Sequence, residues 1–138
     1  MIIIKLIGGL GNQMFQYSAG LVLANHLKTE LKIDNLYYND TSKRWHRFEY
    51  RPYALDLFNI SAKIATPTEI RKFTVPRIYN KYIYHLLLKI KKERNVYNDS
   101  FFKSWEDFTN NLNLNDEVNL YLTGYYQNFS IIESNNIL

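Results

Sequence analysis

Residues 1–20 have the sequence MIIIKLIGGLGNQMFQYSAG, and this stretch decides the fold class. Residues 2–7 are apolar and mostly β-branched apart from Lys5, which predicts a buried strand of a parallel sheet. Glycines then end the run, and from Asn12 to about Lys28 nearly every position is apolar or small, which predicts a helix packed on that sheet. The stretch ELKIDN predicts a second strand that ends at Asp34. Strand, glycine turn, helix and strand form a βαβ unit with a right-handed crossover.

Composition favours one domain and excludes several kinds of site. The chain has 138 residues, of which 46% are hydrophobic, so it can bury a core without covalent cross-links. Lys+Arg 17 against Asp+Glu 13 gives a net charge of +4, which favours phosphates, anionic lipids or nucleic acid without selecting among them. Cysteine is absent and the three histidines are scattered, so we predict no disulfide, no thiolate nucleophile and no metal.

No feature of the sequence predicts insertion into a membrane. The longest apolar runs fall far short of the ~20 residues that cross a bilayer, and the amino terminus lacks the layout of a signal peptide. Residues 77–92 have apolar side chains at helical spacing, with basic side chains from Arg77 to Lys92 mostly elsewhere on the wheel. This pattern favours a core-facing helix and leaves open a peripheral membrane contact. We expect a cytoplasmic protein, with the inner membrane face as the alternative.

The rest of the chain predicts a long loop, a helix start and one further strand. A long aromatic and basic loop follows Asp34, with a short strand or turn near residues 55–60. Thr66, Pro67 and Glu69 have the spacing of a capping box, which predicts a helix start. The stretch VNLYLTGYYQN at 118–128 predicts another buried strand and a loop. The last residues resemble the opening of a helix, so we expect a fragment.

The glycine turn has the properties of an anion site. It precedes a helix N-terminus, where backbone N–H groups and the helix dipole favour negative charge, and Gly8, Gly9 and Gly11 let a ligand approach the backbone. Asn12 and Gln13 add neutral donors for a phosphate or a sugar hydroxyl. The structural alternative is that the glycines only make a tight turn and that Asn12 only caps the helix.

A nicotinamide dinucleotide site is the alternative function. Residues 9–14 approximate the G-x-G-x-x-G pattern, and Asp34 stands where a ribose-binding acid is expected. Met14, however, is large where close packing of helix on strand usually requires glycine or alanine. A nucleic-acid-binding function is not predicted, because the basic residues are dispersed and no known binding motif is present.

Three stretches resemble one enzyme family in its order and spacing. GGLGNQMFQYSAG at 8–20 resembles the N-terminal motif of the bacterial α-1,2-fucosyltransferases, glycosyltransferase family 11. YRPYALDLFNISAKIATPTEI at 50–70 is similar to the next block of that family, and LTGYYQNFSII at 122–132 is similar to its G-Y-W-Q-S block. The resemblance implies an α/β fold, the Rossmann-like N-terminal half of a two-domain GT-B-type glycosyltransferase. Residues 1–138 would form a single domain, truncated before the donor-binding second domain.

The resemblance also implies an activity. The family carries out an inverting, metal-independent transfer of L-fucose from GDP-fucose to the 2-hydroxyl of a galactoside. It implies a nucleotide-sugar donor and a glycan acceptor as partners, with no cofactor apart from the donor substrate. The family motif lies in the cleft near the donor, which assigns donor binding to Gly9, Gly11, Asn12 and Gln13.

The loop after the last predicted strand is a second candidate region. Tyr125, Tyr126 and Gln127 are predicted to contact the acceptor or line the cleft, because open α/β sheets bind ligands at the carboxyl ends of their strands. Packing against a following domain is the alternative. Tyr126 stands where the family has tryptophan, and Asn128 stands where it has serine.

One family block and the catalytic base are not found. The H-x-R-R-x-D-Y block, whose arginines would neutralise guanosine diphosphate, does not occur in these residues. We therefore expect this chain alone to bind the donor weakly and to turn over negligibly. Asp34, Asp56 and Glu69 are available carboxylates, but ordinary roles as turn residue, solvated side chain and helix cap are favoured for them. The catalytic residue is left unassigned.

Overall fold

The computed structural model describes residues 1–39, 51–74, 96–98 and 119–127. The elements of this part are β1 (Ile2–Lys5), α1 (Leu10–His26), β2 (Leu31–Asp34), α2 (Leu36–Asn39), a 3-10 turn (Leu55–Leu57), β3 (Lys63–Ile64), α3 (Pro67–Arg71), β4 (Val96–Asn98) and β5 (Leu120–Thr123). The strands form one sheet in the order β3-β2-β1-β5-β4, and every neighbouring pair is parallel. The α/β, Rossmann-like fold class is confirmed, while the second domain stays a prediction.

Strand β1 lies at the centre of the sheet, which explains its continuous apolar sequence. Its neighbours are β2 and β5, so that Ile3 lies opposite Lys32 on one side and Tyr121 on the other. Ile2, Ile3 and Ile4 are completely buried. Successive side chains point to opposite faces, and both faces of a parallel sheet are normally covered, so the alternation of a half-exposed strand is missing here.

The two faces of the sheet have separate cores. The larger core lies between the sheet and α1, and its buried members are Ile2, Ile4, Leu6, Ala19, Val22, Leu23, Ala24, Leu31, Ile33, Tyr38, Leu55, Leu120, Leu122 and Tyr126. The smaller core lies on the other face, where α3 packs, and its buried members are Ile3, Ala65, Ile70, Phe73 and Tyr121. The helix that follows the glycine turn therefore sits on a defined face and is held there by apolar burial.

Helix α1 begins two residues earlier than predicted and packs close to the sheet at Gly20. A Cβ added at Gly20 would lie 2.9 Å from Leu31 Cδ1 and 3.3 Å from Ile4 Cβ, so a side chain there would crowd the sheet. Met14, by contrast, is 47% exposed. Met14 therefore faces away from the sheet, and the prediction that it occupies the close-packing position of a dinucleotide fold was wrong.

The predicted capping box at the start of α3 is confirmed. Thr66 Oγ1 accepts a hydrogen bond from the Glu69 backbone N–H, and the Glu69 carboxylate accepts one from the Thr66 N–H. Lys32 on β2 also donates to this carboxylate across 2.5 Å. The helix start is thus tied to the neighbouring strand as well as to its own cap.

Several other predictions differ from the structure in detail. The long loop after Asp34 contains the single turn α2, and the short strand or turn expected near residues 55–60 is a 3-10 turn at Leu55–Leu57. Within the stretch 118–128, which was predicted as a buried strand followed by a loop, strand β5 covers Leu120–Thr123, while β3 and β4 were not predicted. The predicted helices at 77–92 and after 128 lie outside the described residues. Within the described ranges, no helix has the length and hydropathy needed to cross a bilayer.

Candidate functional site

The two predicted ligand loops meet at one edge of the sheet. Strands β1 and β5 are parallel neighbours, so the turns that follow them lie side by side at the carboxyl edge. There the Gln127 side-chain amide donates a hydrogen bond to Asn12 Oδ1 over 2.7 Å. The sequence predicted a ligand role for both residues separately, and the structure brings them together at the edge where open parallel sheets bind ligands.

The first turn of α1 presents its backbone to open surface. Gly9 is the N-cap residue, and as a glycine it has no side chain that could cap the helix. Asn12 lies inside the helix, so the alternative in which it caps the helix is wrong. The first N–H groups of a helix have no partner within the helix. A Cβ added at Gly11 would meet nothing within 4 Å, which leaves this turn accessible to a ligand.

Gly8 allows the Asn12 side chain to fold back against the turn. Its φ is +79°, a region that residues with a Cβ rarely adopt, and an added Cβ would lie only 2.5 Å from Asn12 Nδ2. Glycine is therefore required at position 8 both by the backbone and by the space that Asn12 occupies.

Gln13 faces the interior, and its predicted contact with a donor is corrected. The side chain is completely buried. Its Nε2 donates to the Gly8 carbonyl over 3.2 Å and to the Pro52 carbonyl over 2.8 Å, while its Oε1 accepts from the Ala54 N–H over 2.9 Å. Because these bonds use both amide hydrogens, Gln13 supports the turn from within and joins it to the segment at 52–54.

Gln16 makes an equivalent connection that the sequence analysis missed. It is also completely buried. Its Oε1 accepts from the Ile7 N–H over 3.0 Å, and its Nε2 donates to the Gly124 carbonyl over 2.8 Å. Gln16 thereby joins the end of β1 to the turn that carries Gln127. Two glutamines three positions apart on an otherwise apolar helix were the signal, because buried amides must find partners.

The tyrosines after β5 have different surroundings. Tyr125 is 48% exposed beside Gln127, as a cleft contact requires. Tyr126 is buried in the larger core with its hydroxyl 3.4 Å from the Tyr97 carbonyl, so its predicted role as a cleft contact is corrected to one of packing. Its φ is +53° and that of Gly124 is +119°, so the turn adopts left-handed backbone at two positions. Such strain persists only where surrounding contacts hold it, as the buried Tyr126 ring does here.

Both oxygens of the Asp34 carboxylate accept hydrogen bonds from other groups of the protein. Oδ1 accepts from the Leu36 N–H over 2.9 Å, and Oδ2 accepts from the Tyr121 hydroxyl over 2.6 Å. Burial is the main cause that raises the pKa of Tyr121 far above its ordinary value, and the nearby Asp34 charge raises it further. The hydroxyl therefore stays protonated and donates the hydrogen bond. Asp34 is 3% exposed and therefore does not present the open carboxylate that a ribose-binding acid needs.

The other two carboxylates that were considered as bases, Asp56 and Glu69, have the structural roles that the sequence favoured for them. Glu69 is occupied by its capping box and by Lys32, and the hydrogen bond from Lys32 is the main cause that lowers its pKa to about 2. Asp56 is an exposed residue of the 3-10 turn. No catalytic base is assigned. In the ranges that the structure describes, no group of three or more His, Asp or Glu residues is placed to hold a metal ion.

Arg51 is a second residue that the sequence analysis did not single out. A Cβ added at Gly9 would lie 3.6 Å from Arg51 Cδ and 3.9 Å from Arg51 Nε. The arginine side chain therefore passes alongside the glycine turn, and it immediately precedes the segment that Gln13 binds. The residues are far apart in sequence, so no local pattern reveals this contact.

Comparison with known proteins gives one informative similarity. No family model matches the chain, and no solved structure matches it. The chain is 33% identical over 138 residues to the O-antigen biosynthesis glycosyltransferase WbnK of Escherichia coli. This alignment covers 92% of the chain but 42% of the relative, so the chain spans less than half the length of the protein that it resembles.

Proposed function

We propose that this chain forms the donor-facing part of a glycosyltransferase that transfers L-fucose from GDP-fucose to the 2-hydroxyl of a galactoside. The similarity to a glycosyltransferase of O-antigen biosynthesis supports the transferase class. The three sequence blocks at 8–20, 50–70 and 122–132 support the choice of sugar and linkage by resemblance. The observation that carries the proposal is the open helix start at Gly11, beside the hydrogen-bonded pair of Asn12 and Gln127.

The proposed reaction needs stabilisation of negative charge at the leaving group. The acceptor hydroxyl oxygen attacks C1 of fucose from the side opposite the diphosphate, and a C1–O bond forms with inversion. The bond from C1 to the β-phosphate oxygen breaks, and its electrons leave with GDP. The hydroxyl proton passes to a general base that we do not assign. Backbone N–H groups at a helix start favour the diphosphate through hydrogen bonds and the helix dipole.

The Asn12 and Gln127 pair suits a ligand that is both charged and rich in hydroxyl groups. Oδ1 of Asn12 accepts from Gln127, which leaves Asn12 Nδ2 as a donor and Gln127 Oε1 as an acceptor. Both side chains are neutral, so they bind phosphate or sugar without a buried charge that requires a partner. The pair would thus fix the orientation of the donor sugar, while the backbone N–H groups at the helix start would stabilise the negative charge of the diphosphate.

Ligand-dependent thermal unfolding of the full-length protein tests this function against the dinucleotide alternative. GDP-fucose and GDP should raise the Tm, because saturation at 100 times Kd stabilises a protein by about 2.7 kcal/mol. NADH and a polynucleotide should leave the Tm unchanged. Radiolabelled fucose should pass from GDP-fucose to a galactoside at the same rate with and without EDTA. Stabilisation by NADH but not by GDP would contradict the proposal.

A further inference from the structure

The segment before the 3-10 turn is fixed to the glycine turn by a buried side chain. Gln13 is completely buried and bonds to the Gly8 and Pro52 carbonyls and to the Ala54 N–H. Because a buried side-chain amide must find partners for its polar atoms, these three bonds hold the two segments in one relative position.

Arg51 immediately precedes this fixed segment and lies alongside Gly9. Its Cδ and Nε are within van der Waals reach of the space that a Gly9 side chain would fill. The residue is exposed, and its Cδ and Nε lie beside Gly9, the residue before the first turn of α1. Arginine keeps its charge at all physiological pH values and offers paired donors that match phosphate oxygens.

The remaining polar groups of the turn are neutral. A departing diphosphate carries several negative charges, and its stabilisation usually requires cationic groups or a metal. We propose that Arg51 binds the diphosphate of the nucleotide sugar and that Gln13 is the positioning residue that holds Arg51 at the turn. This inference rests on the proposed function and adds a cation that neither the sequence resemblance nor the comparisons assign.

Binding of GDP and of guanosine to the full-length protein tests the role of Arg51. Arg51→Gln should weaken GDP binding by about tenfold or more, because a hydrogen bond to a charged group contributes about 1.5–3 kcal/mol. Guanosine, which lacks phosphate, should bind both proteins equally. Arg51→Lys should retain part of the affinity, since it keeps the charge without the paired donors. The matched control is Arg71→Gln, in the last turn of α3, which should bind GDP as the wild type does.

The outcomes separate the inference from the proposed function. If the wild type binds GDP and the affinity of Arg51→Gln for GDP is within twofold of the wild-type affinity, the role of Arg51 is overturned and the proposed function is left intact. A wild-type protein that binds no GDP would overturn both. Equal losses of guanosine and GDP affinity in Arg51→Gln would show a general structural effect and would also overturn the assignment to the diphosphate.

A double-mutant cycle tests Gln13 as a positioning residue. Gln13→Met should weaken GDP binding in the wild-type background and have little further effect when Arg51 is already Gln, because both changes remove the same interaction. Equal effects in the two backgrounds would contradict positioning through Arg51. If Gln13→Met does not fold, Pro52→Gly loosens the same segment at an exposed residue, and the same dependence on Arg51 is expected.

Discussion

The side-chain amide of Gln127 donates a hydrogen bond to Asn12 Oδ1 over 2.7 Å, although the two residues are 115 positions apart. The bond exists because β5 inserts next to β1, which places the turn after each strand at the same edge. It joins the helix start to the second loop, so that the two loops form one surface.

Replacement of Asn12 should therefore reduce catalysis. Asn12→Ala in the full-length protein is expected to lower kcat/KM for GDP-fucose by about tenfold or more, because a donor facing developing charge is lost. Gln127→Ala should have a smaller effect, and the double variant should be little worse than Asn12→Ala alone. Asn25→Ala, at an exposed position of the same helix, is the control. Unchanged kinetics in Asn12→Ala would remove this residue from the site.

Gln16 should matter for stability. Gln16→Leu leaves the Ile7 N–H and the Gly124 carbonyl without their partner, so we expect a loss of about 2–4 kcal/mol in the free energy of unfolding. Met14→Gln, at an exposed position of α1, should stay within about 0.5 kcal/mol of the wild type. Urea titration monitored by circular dichroism measures both. Equal stability of the two variants would show that the buried connection contributes little.

The ion pair of Lys32 and Glu69 should make stability depend on pH. The hydrogen bond from Lys32, followed by those from Thr66, lowers the pKa of Glu69 from 4.5 to about 2 in the folded protein. The folded state therefore binds this proton less readily than the unfolded state. The contribution is complete above pH 4.5 and is lost as the pH falls toward 2.

Urea midpoints across this pH range measure the contribution. The wild type should lose stability between pH 4.5 and pH 2 by more than Glu69→Gln does, because the variant has no carboxylate to protonate. Glu69→Gln retains the size of the side chain. At low pH Glu69 of the wild type is also neutral, so the stabilities of the two proteins should converge. Parallel pH profiles would contradict a depressed pKa at this site.

Gly8 should not tolerate a side chain. Gly8→Ala places a Cβ 2.5 Å from Asn12 Nδ2 at a φ of +79°, so the variant should lose about 1–2 kcal/mol of stability and displace the Asn12 side chain. A lower Tm together with a reduced kcat/KM is the expected result. An unchanged Tm would indicate that the turn relaxes to another conformation.

Local sequence patterns were sufficient for the parts of the fold that depend on neighbouring residues. The β-branched run of β1, the glycine turn, α1 and the capping box at Thr66 each depend on residues close in sequence, and each was predicted. Strand β3 has two residues, which is too short for any periodicity to indicate it. The position of β5 beside β1 depends on the sheet as a whole.

The site was predictable in composition but not in geometry. The glycines, Asn12 and Gln127 were selected because their side chains and backbone suit phosphate and sugar. The inward direction of Gln13 was not predictable, because it depends on carbonyl and N–H groups at Pro52 and Ala54, which lie about 40 positions away. Similarly, the placement of Arg51 follows from that buried bond, and no motif at position 51 indicates it.

The most direct test of the central claim is the donor KM of Gly11→Ala. The added Cβ would contact nothing within 4 Å, so stability should be unchanged or raised by up to about 1 kcal/mol, as expected for alanine in place of glycine in a helix. If the first turn of α1 receives the diphosphate of GDP-fucose, the methyl group occupies the ligand's path, and KM should rise about tenfold. A fully stable Gly11→Ala variant with the KM of the wild type would contradict the account.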